Sequence, residues 1–115
     1  MTRVVAFVPD LLFGSNVLGA LRAAGYDAVL VSDVDALQRE LPGAGGLVVD
    51  LTTDPGERIE QVSAIPRPDV KTLAFYSHVE ADIRAQAEQA GFDLVIPRSR
   101  MAREGAALLT RLLEG

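Results

Sequence analysis

Gly45-Gly46-Leu47-Val48-Val49-Asp50-Leu51-Thr52-Thr53 reads as a short buried strand that ends in a single carboxylate. Val48 and Val49 are β-branched, and the apolar run is continuous rather than alternating. That is the pattern of a parallel strand covered on both faces by helices. In an open α/β sheet, ligands and chemistry sit just beyond the carboxyl ends of the strands. Asp50 falls at such an end, in the third of five strand-like runs.

On the N-terminal side, residues 4–8 form a first apolar strand, stopped by Pro9-Asp10. Gly14-Ser15 is expected to open a helix with Val17, Leu18, Leu21 and Ala24 on one stripe and Gly25 just past its end. Residues 28–31 give a second strand. Asp33 is placed to cap a short helix carrying Val34, Leu37 and Leu41, which Pro42-Gly43 stops. On the C-terminal side, Asp54-Pro55-Gly56-Glu57 is a helix start: Asp as N-cap, Pro at the first helical position, Glu three after the cap. Ile59, Val62 and Ile65 make its inner face, and Pro66-Arg67-Pro68 is a stiff loop. A fourth strand, residues 72–76, runs into Ser77-His78. The next helix carries Val79, Ile83, Ala87 and Ala90 up to Gly91. A fifth strand, residues 94–96, is closed by Pro97, and a last helix presents Leu108, Leu109, Leu112 and Leu113.

Strand and helix therefore alternate five times in 115 residues, without repeat or linker. Short crossovers of this kind give a parallel sheet with helices on both faces. Two windings fit, the flavodoxin-like order 2-1-3-4-5 and half of a dinucleotide fold; five strands in one small domain favour the first.

Composition narrows the function classes. Apolar residues make up 49% of the chain, too many for a disordered segment. No apolar run approaches the ~20 residues that span a bilayer, and no signal peptide is read at the start. A cytoplasmic location without membrane association is expected. The net charge of −5 argues against a nucleic-acid partner. With one histidine and no cysteine, zinc is not expected. The turn after the first strand, Pro9-Asp10-Leu11-Leu12-Phe13-Gly14, lacks the early glycines of a dinucleotide site and the hydroxyls of a flavin-phosphate loop. Neither a P-loop nor a nucleophile–His–acid set is present.

The five units, Asp50 ending strand three, Ser77 ending strand four and Ala90-Gly91-Phe92-Asp93 before strand five carry one resemblance. Over nearly its whole length the chain resembles the receiver domain of bacterial response regulators. In that family the strand-three Asp accepts a phosphoryl group from a histidine kinase. Two acidic residues after strand one hold Mg²⁺, and a Lys after strand five contacts the phosphate. The charge of phosphoryl transfer has to be neutralised, and Mg²⁺ takes carboxylate and water oxygens in octahedral array.

Here the pattern breaks. Counting back from Ala24-Gly25 puts Val8 and Pro9 at the acidic pair, with Asp10 one residue late. Counting on from Asp93 puts Pro97 at the lysine, with Arg98 one residue late. The resemblance is thus to a degenerate receiver, a pseudo-receiver. It implies a pocket of Asp10, Asp50, Ser77 and Arg98, in which Arg98 is expected to swing toward Asp50 and pair with it. Catalytic residues, a bound metal and a cofactor are not expected. Arg98, Arg100 and Arg103, at the start of the last helix, form a candidate anion-binding set.

Three readings follow: a stand-alone signalling domain that binds another protein, a small-anion or nucleotide module at the strand ends, and an active phosphoacceptor with a metal site rearranged around Asp10. For the first, the partner is a kinase, a regulatory protein or a second copy of the chain. The resemblance puts the contact face on the fourth helix, fifth strand and fifth helix, where Arg84, Glu88, Arg103 and Arg111 give it a polar character. No attached output domain is expected, so the signal is expected to leave through the domain's own surface. Ser77-His78-Val79-Glu80 is a capping-box pattern that makes Ser77 an N-cap. His78 is a pH-sensitive group at the pocket edge. Leu11-Leu12-Phe13 is expected to cover the pocket as part of the core.

Overall fold

The computed structural model describes every residue except Pro68 and His78 to Glu80. The elements alternate as β1 (Arg3–Phe7), α1 (Leu11–Ala23), β2 (Asp27–Val31), α2 (Val34–Glu40), β3 (Gly46–Asp50), α3 (Pro55–Ser63), β4 (Lys71–Tyr76), α4 (Ala81–Gln89), β5 (Leu94–Pro97) and α5 (Arg98–Glu114). All strand pairings are parallel, and the sheet order is β2-β1-β3-β4-β5. This is the flavodoxin-like winding expected from the five units. The chain first builds outward to β2, then crosses back over β1 and builds the other way. That reversal opens a crevice beyond the carboxyl ends of β1 and β3, where Asp50 ends its strand.

Continuous apolar strands supply both faces of the sheet. Val5, Phe7, Leu47, Val49 and Ala74 pack under the faces that α2, α3 and α4 contribute through Leu37, Ile59, Val62, Ile83 and Ala87. Val4, Ala6, Val8, Val48, Leu73 and Phe75 pack against Val17 and Leu21 of α1 and Met101, Leu108 and Leu109 of α5. Helices α1 and α5 are therefore neighbours on one side. At the amino ends of the strands, Thr72 and Asp93 tie β4 to the turn before β5. The Asp93 carboxylate accepts from the Thr72 amide at 2.8 Å and hydroxyl at 3.1 Å, and the Asp93 N–H donates to the same hydroxyl oxygen at 3.0 Å.

Helix starts separate expectation from observation. Asp33 caps α2 as expected, its carboxylate accepting from the Ala36 N–H at 2.8 Å. Helix α1 opens three residues earlier than Gly14. Asp10 is extended, and its Oδ1 accepts from the N–H groups of Leu12 and Phe13 at 3.0 and 3.1 Å, so Leu11 is the first helical residue. Gly14 is instead an interior contact. A Cβ there would lie 3.2 Å from the Val8 carbonyl oxygen and 3.0 Å from Leu30, so glycine lets α1 approach the sheet. Gly25, at φ +95°, turns the chain out of α1 into β2.

Asp54 precedes α3 as expected but does not cap it with its side chain. It sits in the left-handed region at φ 47°, and Pro55 alone sets the first turn. The expected pH-sensitive role of His78, the box from Ser77 through Glu80 and the inward position of Val79 lie outside the described residues. No described helix is long and apolar enough to cross a membrane.

Candidate functional site at the strand ends

The site grows from four connections: the turn after β1, the β3–α3 loop, the end of β4 and the first turn of α5. Asp10, Phe13, Thr52, Thr53, Ser77, Arg98, Ser99 and Ala102 line a cleft of about 560 Å³ there. Three of the four expected pocket residues, Asp10, Ser77 and Arg98, thus share one cavity. Asp50 lies at the end of β3 and is only 4% exposed; it is not among the lining residues.

The Asp50 carboxylate is already engaged. Its Oδ1 accepts from the Thr52 amide at 2.8 Å and from the Thr52 hydroxyl at 2.6 Å. The loop folds back on its own acid, because a short β3–α3 connection brings the residue two places on within reach. On the backbone side, Arg58 Nη1 donates to the Asp50 carbonyl at 3.3 Å. The Arg58 guanidinium lies 4.6 Å from the Phe7 ring centroid, and its Nε is buried without a hydrogen-bond partner among the described residues. Like Thr52, Arg58 is a site residue that the sequence does not announce. A signal for it exists: Arg58, Val62 and Ile65 follow one 3.6-residue stripe, so this arginine falls on the inward side of α3.

Arg98 does not reach Asp50 as expected. Its Nη2 lies 3.6 Å from Asp10 Oδ2, and its guanidinium carbon sits 4.3 Å from the Phe13 ring centroid. Both partners come from the start of α1. The ring is itself fixed, packing on Phe75 at a centroid distance of 5.1 Å. A flat cation is drawn to an aromatic face and a carboxylate together, so α1 captures Arg98 before β3 can. Pro97, at the lysine position of the resemblance, ends β5 and carries no charge.

The three arginines do not converge. Arg98 lines the strand-end cleft, Arg100 pairs with Glu104 at 3.3 Å, and Arg103 donates to the Ser99 carbonyl at 3.4 Å. Arg103 lines a different groove, between α1 and α5. Leu11 and Leu12 do not cover the pocket; they are 73% and 78% exposed, and Phe13 alone turns inward. Asp10 is committed at both ends, capping α1 through Oδ1 and pairing with Arg98 through Oδ2.

This donor set does not fit the Mg²⁺ ion that the resemblance implies. The ion takes carboxylate oxygens with several waters in octahedral array. The acidic-pair positions hold Val8, which is fully buried, and Pro9. Among the described residues, no three His, Cys, Asp or Glu side chains gather into a group able to hold a metal ion.

No protein-family model matches the sequence, and no curated protein matches it. Solved structures do match in shape. A response regulator from Thermotoga maritima superposes with a TM-score of 0.82 at 16% identity, over 100% of this chain and 99% of that one. The DrrB receiver domain in a BeF3-activated form superposes with a TM-score of 0.84 at 15% identity, over 100% and 99%. A response regulator receiver protein from Burkholderia phymatum does so with a TM-score of 0.80 at 19% identity, over 99% and 96%. At such identities the likeness is one of fold, and it agrees with the sheet order. The chain has the flavodoxin-like fold of response-regulator receiver domains.

Proposed function

We propose that this domain is a receiver-like signalling module that acts by contact with another protein, without enzymatic activity and without Mg²⁺-dependent phosphorylation of Asp50. The observation that carries the reading is the prior commitment of the charges at the strand ends. Thr52 holds the Asp50 carboxylate, while Asp10 and the Phe13 ring hold Arg98. In a working phosphoacceptor site, metal and lysine offset the repulsion that clustered carboxylates and an incoming phosphoryl group create. Here two of the three carboxylates are replaced by Val8 and Pro9, and Arg98 is paired elsewhere. A phosphoryl group on Asp50 would lack both counter-charges, and the Thr52 contacts would have to break first.

Titration of the ¹⁵N-labelled domain with MgCl₂ tests this. The Asp10, Asp50 and Thr52 amides are expected to show no saturable shift at physiological Mg²⁺. Saturation there would establish a metal site rearranged around Asp10 and contradict the reading.

One observation favours a second reading, a module for a small anion: Thr52, Thr53, Ser77 and Ser99 line the cleft together with Arg98. Inorganic phosphate in the same titration separates the two. Saturable shifts of Ser99 and Arg98 with phosphate alone would put the anion module first.

A further inference from the structure

A second cavity lies at the amino ends of β3 and β4, the opposite end of the sheet from Asp50. It opens between the α2–β3 and α3–β4 connections, and its volume of about 630 Å³ is that of a small-molecule site. Its lining is mostly apolar: buried Leu41, Ala44 and Ile65, exposed Pro42 and Pro66, and half-buried Val70. Both connections are fastened. The Leu41 N–H donates to the Leu37 carbonyl at 2.9 Å and the Ala44 N–H to the Leu41 carbonyl at 3.0 Å, while the Val70 N–H donates to the Arg67 carbonyl at 3.3 Å. The proline rings stiffen the same segments. The concave shape therefore exists before a ligand arrives, which lowers the cost of binding.

Two charges of opposite sign line this cavity, Arg67 and Asp69. Among the described residues, neither enters an ion pair, with the other or with a third residue. The Arg67 guanidinium is held by the end of α3, its Nη1 donating to the carbonyls of Val62 at 3.0 Å and Ile65 at 3.2 Å. A guanidinium carries five N–H donors, and the Nε and Nη2 donors of Arg67 have no partner among the described residues. The turn from Arg67 to Val70 closes to within about 7 Å across its ends, so Arg67 and Asp69 stand close together at the cavity.

Charge selects the class of ligand. A lone anion meets Asp69, a lone cation meets Arg67, and an uncharged apolar molecule leaves both unused. An α-amino acid sets a carboxylate and an ammonium on one carbon and leaves its side chain for the apolar lining. We propose that this cavity binds an α-amino acid with an apolar side chain, its carboxylate on Arg67, its ammonium on Asp69 and its side chain against Leu41, Ile65 and Val70. The proposal goes beyond contact with another protein: it gives the domain a small-molecule site remote from Asp50.

The probes are L-phenylalanine and L-leucine, titrated into the ¹⁵N-labelled domain. At least one is expected to shift the amides of Gly43, Ala44, Arg67, Asp69 and Val70 saturably, with a roughly millimolar dissociation constant. For phenylalanine, removing the ammonium (N-acetyl-L-phenylalanine) or the carboxylate (phenethylamine) should each weaken binding by about tenfold; for leucine, N-acetyl-L-leucine and isopentylamine serve in the same way. Asp69 has a left-handed backbone, at φ 67°, which asparagine also adopts. Asp69→Asn thus keeps the turn, and an otherwise unchanged amide spectrum verifies it. This variant should lose about tenfold in affinity for the amino acid and none for its N-acetyl form; a merely structural effect would weaken both alike. No saturable shift with either amino acid, equal binding of the charged and the single-charge compounds, or shifts confined to the strand-end cleft would overturn the proposal. None of these outcomes involves Mg²⁺ or phosphorylation of Asp50, so the proposal and the reading of the strand-end site fail separately.

Discussion

Asp10 joins two jobs that pull against a third. Its Oδ1 caps α1, and its Oδ2 holds Arg98 over the Phe13 ring. A metal would have to compete for these oxygens with the helix N–H groups and the guanidinium. Asp10→Ala is expected to destabilise the domain by about 1 kcal/mol through loss of the cap, as read by urea denaturation. The ion pair adds little, because both side chains are about half exposed. Thr52 plays the matching part for Asp50. Thr52→Val keeps the shape and the amide bond but removes the hydroxyl donor, and is expected to cost about 1 kcal/mol. A Thr52→Val domain as stable as the wild type would show that the 2.6 Å contact does not hold the loop.

At the level of elements, periodicity is legible in the sequence, and geometry across elements is not. The strands and inner helix faces can be read because a continuous apolar run points to a buried strand and a 3.6-residue stripe to a half-buried helix. The α1 start is hidden because Gly14 resembles a punctuation residue; its role is a close approach to Val8 and Leu30. The partner of Arg98 is hidden because sequence gives its place in the chain but not the aromatic face that competes for it with Asp50. The exposure of Leu11 and Leu12 escapes for the same reason, since an apolar triplet does not reveal which member turns inward.

Two glycines of α1 make the distinction measurable. Gly14→Ala is expected to destabilise by about 1–3 kcal/mol from overpacking against backbone and Leu30. Gly19→Ala, with nothing within 4 Å of the added carbon, should stabilise by about 0.5–1 kcal/mol through helix propensity. Thermal midpoints moving in the same direction for both would contradict the packing described for α1.

Across the whole molecule, one sheet separates two apolar layers, so each strand contributes to both. The layers are expected to unfold together. Leu37→Ala on one side and Leu109→Ala on the other, both fully buried, should each cost about 2–5 kcal/mol. Each variant should keep a single transition by far-ultraviolet circular dichroism and by tyrosine fluorescence.

The sheet ends β3 in the buried Asp50, and on the proposed reading the surrounding loops withhold the charges that phosphoryl transfer needs. Intact-mass spectrometry after treatment with acetyl phosphate and MgCl₂ tests that claim most directly. The account predicts no phosphoryl adduct on Asp50. A Mg²⁺-dependent mass increase of one phosphoryl group, absent from Asp50→Asn, would contradict it.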